Sequence, residues 1–512
     1  MATICTATDI RGLTLTGKNG PLFQELYQEL KRRVLEGELP PGIRLPPSRL
    51  LAAQLNIGRN TVTAAFNQLL AEGYLQSKTG SGTYVADSLP EQWLHTRKTQ
   101  RSSSEENFNG TLSNYGQLCA KAAPVQANDN PVQANNNPVK NSSFTVGVPD
   151  LKAFPFALWN KIQNQQSQLT RCSSMGFGNP AGLPALREAI ADYLRTSRSV
   201  KCTPDQIVIT NGAQQALALC ARLLINEGEY AAIEEPGYRG AHCSFLAAGA
   251  QLQPCTLDEQ GLMTEKLANL STSPKVIYTS PAHQYPTGAI LPLDRRLELL
   301  NWAARNNCWI IEDDYDSEYH YRNRPLASLQ GLSSRHQVIY IGSFSKVLFP
   351  ALRLGYLVLP ESLVKPFITA RQAMAGEIPL QTQATVSSFI REGHFSRHIR
   401  RMRLLYEKKQ QILQVACRTL APWCTAPCSG SGMHQVLYLK PELRHLESQL
   451  HKRLQEQGIY SSTLSSYFLG QPQQAGLVLG FANSSELEII EGVATIRQTL
   501  NHLRTYSNEG RL

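Results

Sequence analysis

Between Ala86 and Ser143 this chain loses its aliphatic periodicity, and Ser, Asn, Gln, Pro and Ala dominate. Pro124-Val-Gln-Ala-Asn-Asp-Asn is followed by Pro131-Val-Gln-Ala-Asn-Asn-Asn and Pro138-Val, a short degenerate repeat. Such residues cannot bury enough apolar surface to offset the entropy lost in ordering a core. The stretch therefore reads as a flexible tether, with a small body before it and a large one after it. The 512 residues agree, being too many for one ordinary core. The expected divisions are an N-terminal extension over 1–20, a first domain over 21–86, the tether over 87–143 and a second domain over 144–512.

In the first domain Leu22, Leu26, Leu30 and Val34 recur at helical spacing, and Gly37 with Pro40-Pro41-Gly42 ends that helix. Pro46-Pro47-Ser48 opens a second helix, whose Leu50, Leu51 and Leu55 are expected to face inward. After the turn Asn56-Ile57-Gly58, a third helix starts near Arg59 and buries Val62, Phe66 and Leu69–Leu70. Tyr74-Leu75 and Thr83-Tyr84-Val85 read as strands joined through Lys78-Thr79-Gly80-Ser81-Gly82. Helix, turn, helix and a Gly-rich hairpin make a winged helix-turn-helix, whose third helix would enter the major groove of double-stranded DNA. Arg59, Asn60 and Thr61 at its start can donate to base edges or phosphates. A net charge of +10 permits such a partner.

From Phe144 onward strands and helices alternate. Strands are expected at Gln206–Thr210, Tyr230–Glu234, Val276–Thr279, Trp309–Glu312, Val338–Ile341 and Gly355–Leu359. This argues for an α/β fold with a doubly wound, largely parallel sheet and ligands at the C-terminal strand ends. Asn211-Gly212-Ala213-Gln214 turns from strand into helix, the geometry of an anion site. Asp313, Asp314 and Asp316 follow an apolar strand, where a carboxylate needs a cation; a protonated pyridine nitrogen, an acidic surface turn or a metal would each account for them. No His–carboxylate set with ligand spacing is evident, so no metal centre is expected. Lys346 sits among apolar residues, after Ser343 and Ser345 and seven residues before Arg353. A desolvated lysine can attack a carbonyl as the neutral amine, and hydroxyls with a guanidinium suit a phosphate.

Two resemblances follow from these motifs. Leu45-Pro-Pro-Ser-Arg49, Gly58-Arg-Asn-Thr-Val62, Glu72-Gly-Tyr-Leu75 and Gly80-Ser-Gly-Thr-Tyr-Val85 resemble the GntR-type DNA-binding domain. That resemblance implies DNA contacts by Arg49, Arg59 and Thr61, with the wing near Gly80 and Gly82 along the minor groove or backbone. Asn211-Gly-Ala-Gln, Glu235-Pro-Gly-Tyr238, Ser280-Pro-Ala-His-Gln-Tyr-Pro-Thr-Gly288, Ile311-Glu-Asp-Asp-Tyr-Asp-Ser-Glu318 and Gly342-Ser-Phe-Ser-Lys346 resemble the fold-type I aminotransferase-like domain of MocR-type regulators, a GntR subfamily. This implies pyridoxal 5'-phosphate (PLP) as cofactor and Lys346 as its Schiff-base residue. It further implies Asp313 at the pyridine nitrogen, Tyr315 near the phenolic oxygen and Tyr238 stacked on the ring. Gly212, Ala213, Gln214, Ser343 and Arg353 would meet the phosphate. His283 and Gln284 would line the pocket, and Asn179-Pro-Ala-Gly-Leu183 would close over it.

The sequence departs from that family pattern at one place. Aminotransferases of this fold carry an arginine before a C-terminal Gly/Ser-Phe pair to grip the substrate carboxylate; here Gly476-Leu-Val478-Leu-Gly480-Phe481 has none. The expectation is a homodimeric regulator that senses PLP, an amine or an amino acid and turns substrate over weakly or not at all. A catalytic class I/II aminotransferase and a DNA-binding protein without cofactor are the alternatives. Eleven scattered cysteines without CxxC pairs read as small buried hydrophobes. The N-terminus shows no signal-peptide pattern and no apolar run is long enough to span a bilayer, so a cytoplasmic location without membrane contact is expected.

Overall fold

In a computed structural model of the protein, the described residues are 15, 21–78, 81–87, 115–117, 143–169, 176, 178–321, 327–427 and 430–509. The expected extension over 1–20, except residue 15, and most of the expected tether over 87–143 lie outside them, as does Gly80. The chain divides into two compact units, Met1–Thr111 and Leu112–Leu512.

The first unit contains helices α1 (Leu22–Leu35), α2 (Ser48–Leu55) and α3 (Arg59–Ala71), then strands β1 (Leu75–Lys78) and β2 (Gly82–Val85). The strands pair antiparallel with Leu75 opposite Val85. Leu26, Leu30, Val34, Leu51, Val62 and Leu69 form the fully buried centre. Each such side chain contributes roughly 1.5–3 kcal/mol of transfer free energy. Leu50 does not belong to it: at 53% exposure it faces solvent, because its neighbour Leu51 takes the inward face of so short a helix. The α1–α3 packing is closed by the Tyr27 hydroxyl donating to Glu72 Oε2 at 2.6 Å and by Lys31 above the Tyr74 ring.

The second unit is α/β. Its main sheet runs β3 (Ile207–Thr210), β10 (Gly355–Val358), β9 (Val338–Ser343), β8 (Trp309–Asp314), β7 (Val276–Thr279), β4 (Tyr230–Glu235), β5 (Gln251–Asp258) and β6 (Gly261–Leu262). Strands β9, β8, β7, β4 and β5 are mutually parallel, whereas β10 runs antiparallel to both neighbours. All four residues of β3, β7 and β10 are buried, the pattern of strands covered on both faces. A second sheet, unforeseen from the sequence, has the order β11 (Cys424–Thr425), β12 (His434–Leu439), β14 (Gly476–Gly480) and β13 (Ser462–Thr463), with every pair antiparallel. Helices His394–Cys417 and Glu486–Glu509 pack with this sheet in one core that includes Tyr406, Leu413, Leu437, Leu479 and Ile496. Among the described residues, no helix is long and apolar enough to cross a membrane.

Candidate functional site

A cavity of about 410 Å³ opens at the C-terminal ends of the parallel strands. Among the expected residues, Gly212, Ala213, Gln214, Tyr238, Asp313, Tyr315, Ser343, Lys346 and Arg353 all line it. Gly212 precedes the helix Ala213–Leu224 with φ +78°, a backbone that glycine adopts freely, so the helix starts at the cavity wall. The first N–H groups of that helix have no intrahelical acceptors, which suits an anion. The Arg353 guanidinium lies about 4.0 Å from where a Gly212 side chain would begin. The Gln214 side chain is engaged elsewhere, donating to Gly240 O and Ser244 Oγ, so only its backbone is available to a ligand.

Lys346 follows β9 in a turn and donates from Nζ to Gly147 O at 2.9 Å. Gly147 has φ +75°, and a Cβ there would come within 2.5 Å of Nζ, so this close approach needs glycine. The lysine side chain still faces the open cavity, yet protein surrounds its amine, and burial outweighs nearby Asp316 and Asp313 in lowering its pKa.

The acidic run at the end of β8 is sorted by the period of two along a strand. Glu312 accepts from the backbone N–H groups of Leu329 and Gln330 at 2.8 and 2.9 Å. Asp314 accepts from Arg198 Nε at 2.8 Å and from the Tyr340 hydroxyl at 2.5 Å. Burial alone would raise its pKa, but Arg198 and the hydroxyl donors hold it below the usual value. Asp313 turns the other way, into the cavity. Its Oδ2 accepts from the Tyr278 hydroxyl at 2.7 Å, and its Oδ1 is buried with no partner. Burial is the main cause that pushes its pKa up to about 7. The run is therefore not a solvated acidic turn.

His283 and Gln284 are set back from the cavity wall. The His283 Nδ1 lies 3.0 Å from Asp316 Oδ2 and 3.0 Å from the Tyr315 hydroxyl, so it stands behind Tyr315. The Gln284 amide donates to Glu234 Oε2, Pro236 O and Tyr285 O, which accounts for it as a brace inside the fold. The Asn179–Leu183 loop is absent from the cavity lining too: Leu183 N donates to Gln383 Oε1, and Gly182 packs on Ile209.

The cavity contains residues that sequence reasoning did not single out: Gly147, Arg239, Tyr278, Tyr285, His434 and Tyr467. Among the described residues, Arg239 and Arg353 are the two arginines in its lining. Tyr285 and Tyr467 share a hydroxyl–hydroxyl bond of 2.8 Å. His434 comes within metal-ligand range of His283 and Asp316, all three offering atoms within 4.8 Å. The sequence could not reveal that set, since its members lie on three distant segments. Val478, fully buried in β14 opposite Val436, packs with Leu464 and Tyr467 and does not line the cavity.

On the first unit, Arg49, Arg59 and Asn60 are exposed and Thr61 is half-buried at the start of α3. Gly82, at φ +116°, lies against the Arg44 guanidinium, about 3.0 Å from where its Cβ would stand. Arg44 thus joins the wing, although no motif in the sequence announces it.

Comparison with known proteins matches residues 143–491 to the family described as aminotransferase class I and II, and residues 22–85 to bacterial regulatory proteins of the gntR family. The probable rhizopine catabolism regulatory protein MocR of Rhizobium meliloti is 38% identical over 479 residues, 93% of each chain. The pyridoxine biosynthesis transcriptional regulator PdxR of Corynebacterium glutamicum is 30% identical over 464 residues, 90% of this chain and 92% of its own. Among solved structures, the multiple substrate aminotransferase of Thermococcus profundus superposes with TM-score 0.70 at 23% identity, covering 78% of this chain and all of the other. The α-aminoadipate aminotransferase LysN of Thermus thermophilus, complexed with N-(5'-phosphopyridoxyl)-L-leucine, does so with TM-score 0.66 at 26% identity, covering 72% and 93%.

Proposed function

This chain belongs to the MocR-type subfamily of GntR-family transcriptional regulators, and we propose that its aminotransferase-like unit holds PLP on Lys346 and senses an amino compound for the DNA-binding unit. The observation that carries the reading is Asp313 Oδ1, a buried oxygen without a partner at the cavity wall. A protonated pyridine nitrogen is a cation that would satisfy it. Gly212, Ala213, Ser343 and Arg353 would take the phosphate, and Tyr238 would cover the ring. Tyr315, braced by His283, would donate to the phenolic oxygen. When bound, the cofactor supplies an electrophilic carbon that an amine can reach. Lys346, with its pKa lowered by burial, is suited to attack that carbon as the neutral amine and to be displaced from it by another amine.

The winged helix makes the chain a DNA-binding regulator of transcription. We further infer a homodimer, by analogy with the fold family, in which ligand-driven closure of the sensor repositions the tethered readers and so changes the half-site spacing that fits. The effector class is PLP itself, an amine or an amino acid. One relative is a regulator named for pyridoxine biosynthesis and another is named for rhizopine catabolism, which supports a small-molecule effector that differs between members. In the same proposal the reader ends at 86 and the sensor begins after 143.

The test is borohydride reduction of the PLP-loaded protein, then peptide mass mapping and absorbance titration with a panel of amines. One pyridoxyl group on Lys346 and a spectral response to at least one amine are expected. Labelling at another lysine overturns the assignment.

A further inference from the structure

Behind β8, away from the cofactor cavity, lies a second cavity of about 200 Å³. None of its lining residues lines the first one. Its inner wall carries Arg198 and Ser317, both buried, and its mouth carries Ser197, Ser396 and Arg400, all exposed. Arg403 and Glu318 stand between them, with Arg403 Nε donating to the Glu318 backbone oxygen at 2.9 Å.

Arg198 is the observation that points to a ligand. Its side chain is 3% exposed and its Nε is paired with Asp314 at 2.8 Å. Its Nη1 and Nη2 are both buried with no partner. A guanidinium fork without acceptors is costly in a protein interior, and two parallel donors match an oxyanion. Arg400 and Arg403 make no ion pair among the described residues, so the wall keeps an excess of positive charge. Among the described residues, Glu318 is the one carboxyl in that wall. Burial, then the Asp314 charge, pushes its pKa up to about 7, and its Oε1 accepts from the Tyr193 hydroxyl at 2.9 Å. Near neutrality it is therefore only partly ionised and offsets the cations only in part.

We propose that this cavity binds a small tetrahedral oxyanion, inorganic phosphate or a short phosphate monoester, through both Arg198 Nη groups, the Ser396 hydroxyl, and the Arg400 and Arg403 cations, the Ser197 and Ser317 hydroxyls being engaged by Tyr193 O and Asp314. The donors outnumber what the two oxygens of a carboxylate can accept. The volume is about half that of the cofactor cavity, which excludes a ligand of cofactor size. The site is independent of the cofactor reading, although Arg198 and Asp314 connect it to the strand that carries Asp313.

The experiment is calorimetric titration of the full chain, saturated with PLP, using inorganic phosphate in one arm and acetate in another. One phosphate per chain is expected, at roughly millimolar affinity or tighter, with acetate much weaker. Arg400→Gln and Arg403→Gln should each weaken phosphate roughly tenfold and leave the PLP absorbance unchanged. The mouth variants carry the test because Arg198→Lys breaks a buried pair and can prevent folding. Absence of phosphate binding, acetate binding as tight as phosphate, or phosphate binding that survives both arginine variants would each overturn the proposal. The last outcome would place the anion elsewhere and leave the cofactor reading standing.

Discussion

The Tyr278 hydroxyl donates to one oxygen of Asp313 at 2.7 Å and leaves the other oxygen buried without a partner. Burial pushes the pKa of this carboxyl up to about 7, against an ordinary value near 4. An acid whose folded pKa is raised contributes stability that is present below its unfolded pKa and is lost as pH rises through the folded one. In the cofactor-free protein, Asp313 should therefore cost stability on the order of a few kcal/mol between about pH 4 and about pH 7. Denaturant unfolding of wild type and Asp313→Asn across that range isolates the effect. The variant should lose less stability as pH rises, and saturating PLP should remove the difference in slope by supplying a cation. Parallel curves with and without PLP would contradict the pairing.

Arg59 opens α3 and is exposed. Arg59→Ala should weaken operator binding by about 1–3 kcal/mol, the value of a base-edge contact, and leave the PLP spectrum unchanged. Competition binding with operator and random DNA checks it. Equal loss on both would make Arg59 a phosphate contact instead.

Transamination should be slow. Catalysis needs the substrate Cα–H bond held in one orientation, and misplacement costs rate steeply. The strand position where the fold family carries its carboxylate-gripping arginine holds Val478, fully buried among apolar neighbours. Single-turnover conversion of the PLP form to the pyridoxamine form should run well below the roughly 1–10³ per second of ordinary enzymes. The spectral response to an amine should be faster than that conversion. Conversion at ordinary enzyme rates would favour the catalytic reading.

The parts of the site that were legible in the sequence are those carried on contiguous motifs at strand ends: Gly212–Gln214, Tyr238, Asp313, Tyr315, Ser343, Lys346 and Arg353 all meet in one cavity. Gly147, His434 and Tyr467 were not legible, because each comes from a segment whose local pattern says nothing about the neighbours that folding supplies. Arg239 follows Tyr238 directly, but an arginine at a helix start reads equally well as a solvated cation. His283 and Gln284 stand in the right motif, yet their polar atoms are engaged behind the wall. The alternating strands announced the main sheet. Strands β11 and β13 have two residues each, too short for any periodicity to declare the second sheet. Leu50 shows the same limit in the reader domain, where three leucines on an eight-residue helix cannot all face one way.

On the proposed function, the aminotransferase-like unit serves the reader as a sensor through Lys346. The most direct test of that role is operator binding by PLP-loaded wild type and by Lys346→Ala, each measured with and without an amine that changes the wild-type spectrum. Wild type should show an altered operator affinity or footprint on amine addition. Lys346→Ala, folded and still able to bind DNA, should show none. An unchanged response in Lys346→Ala, or a wild type whose DNA binding ignores the amine, would contradict the claim.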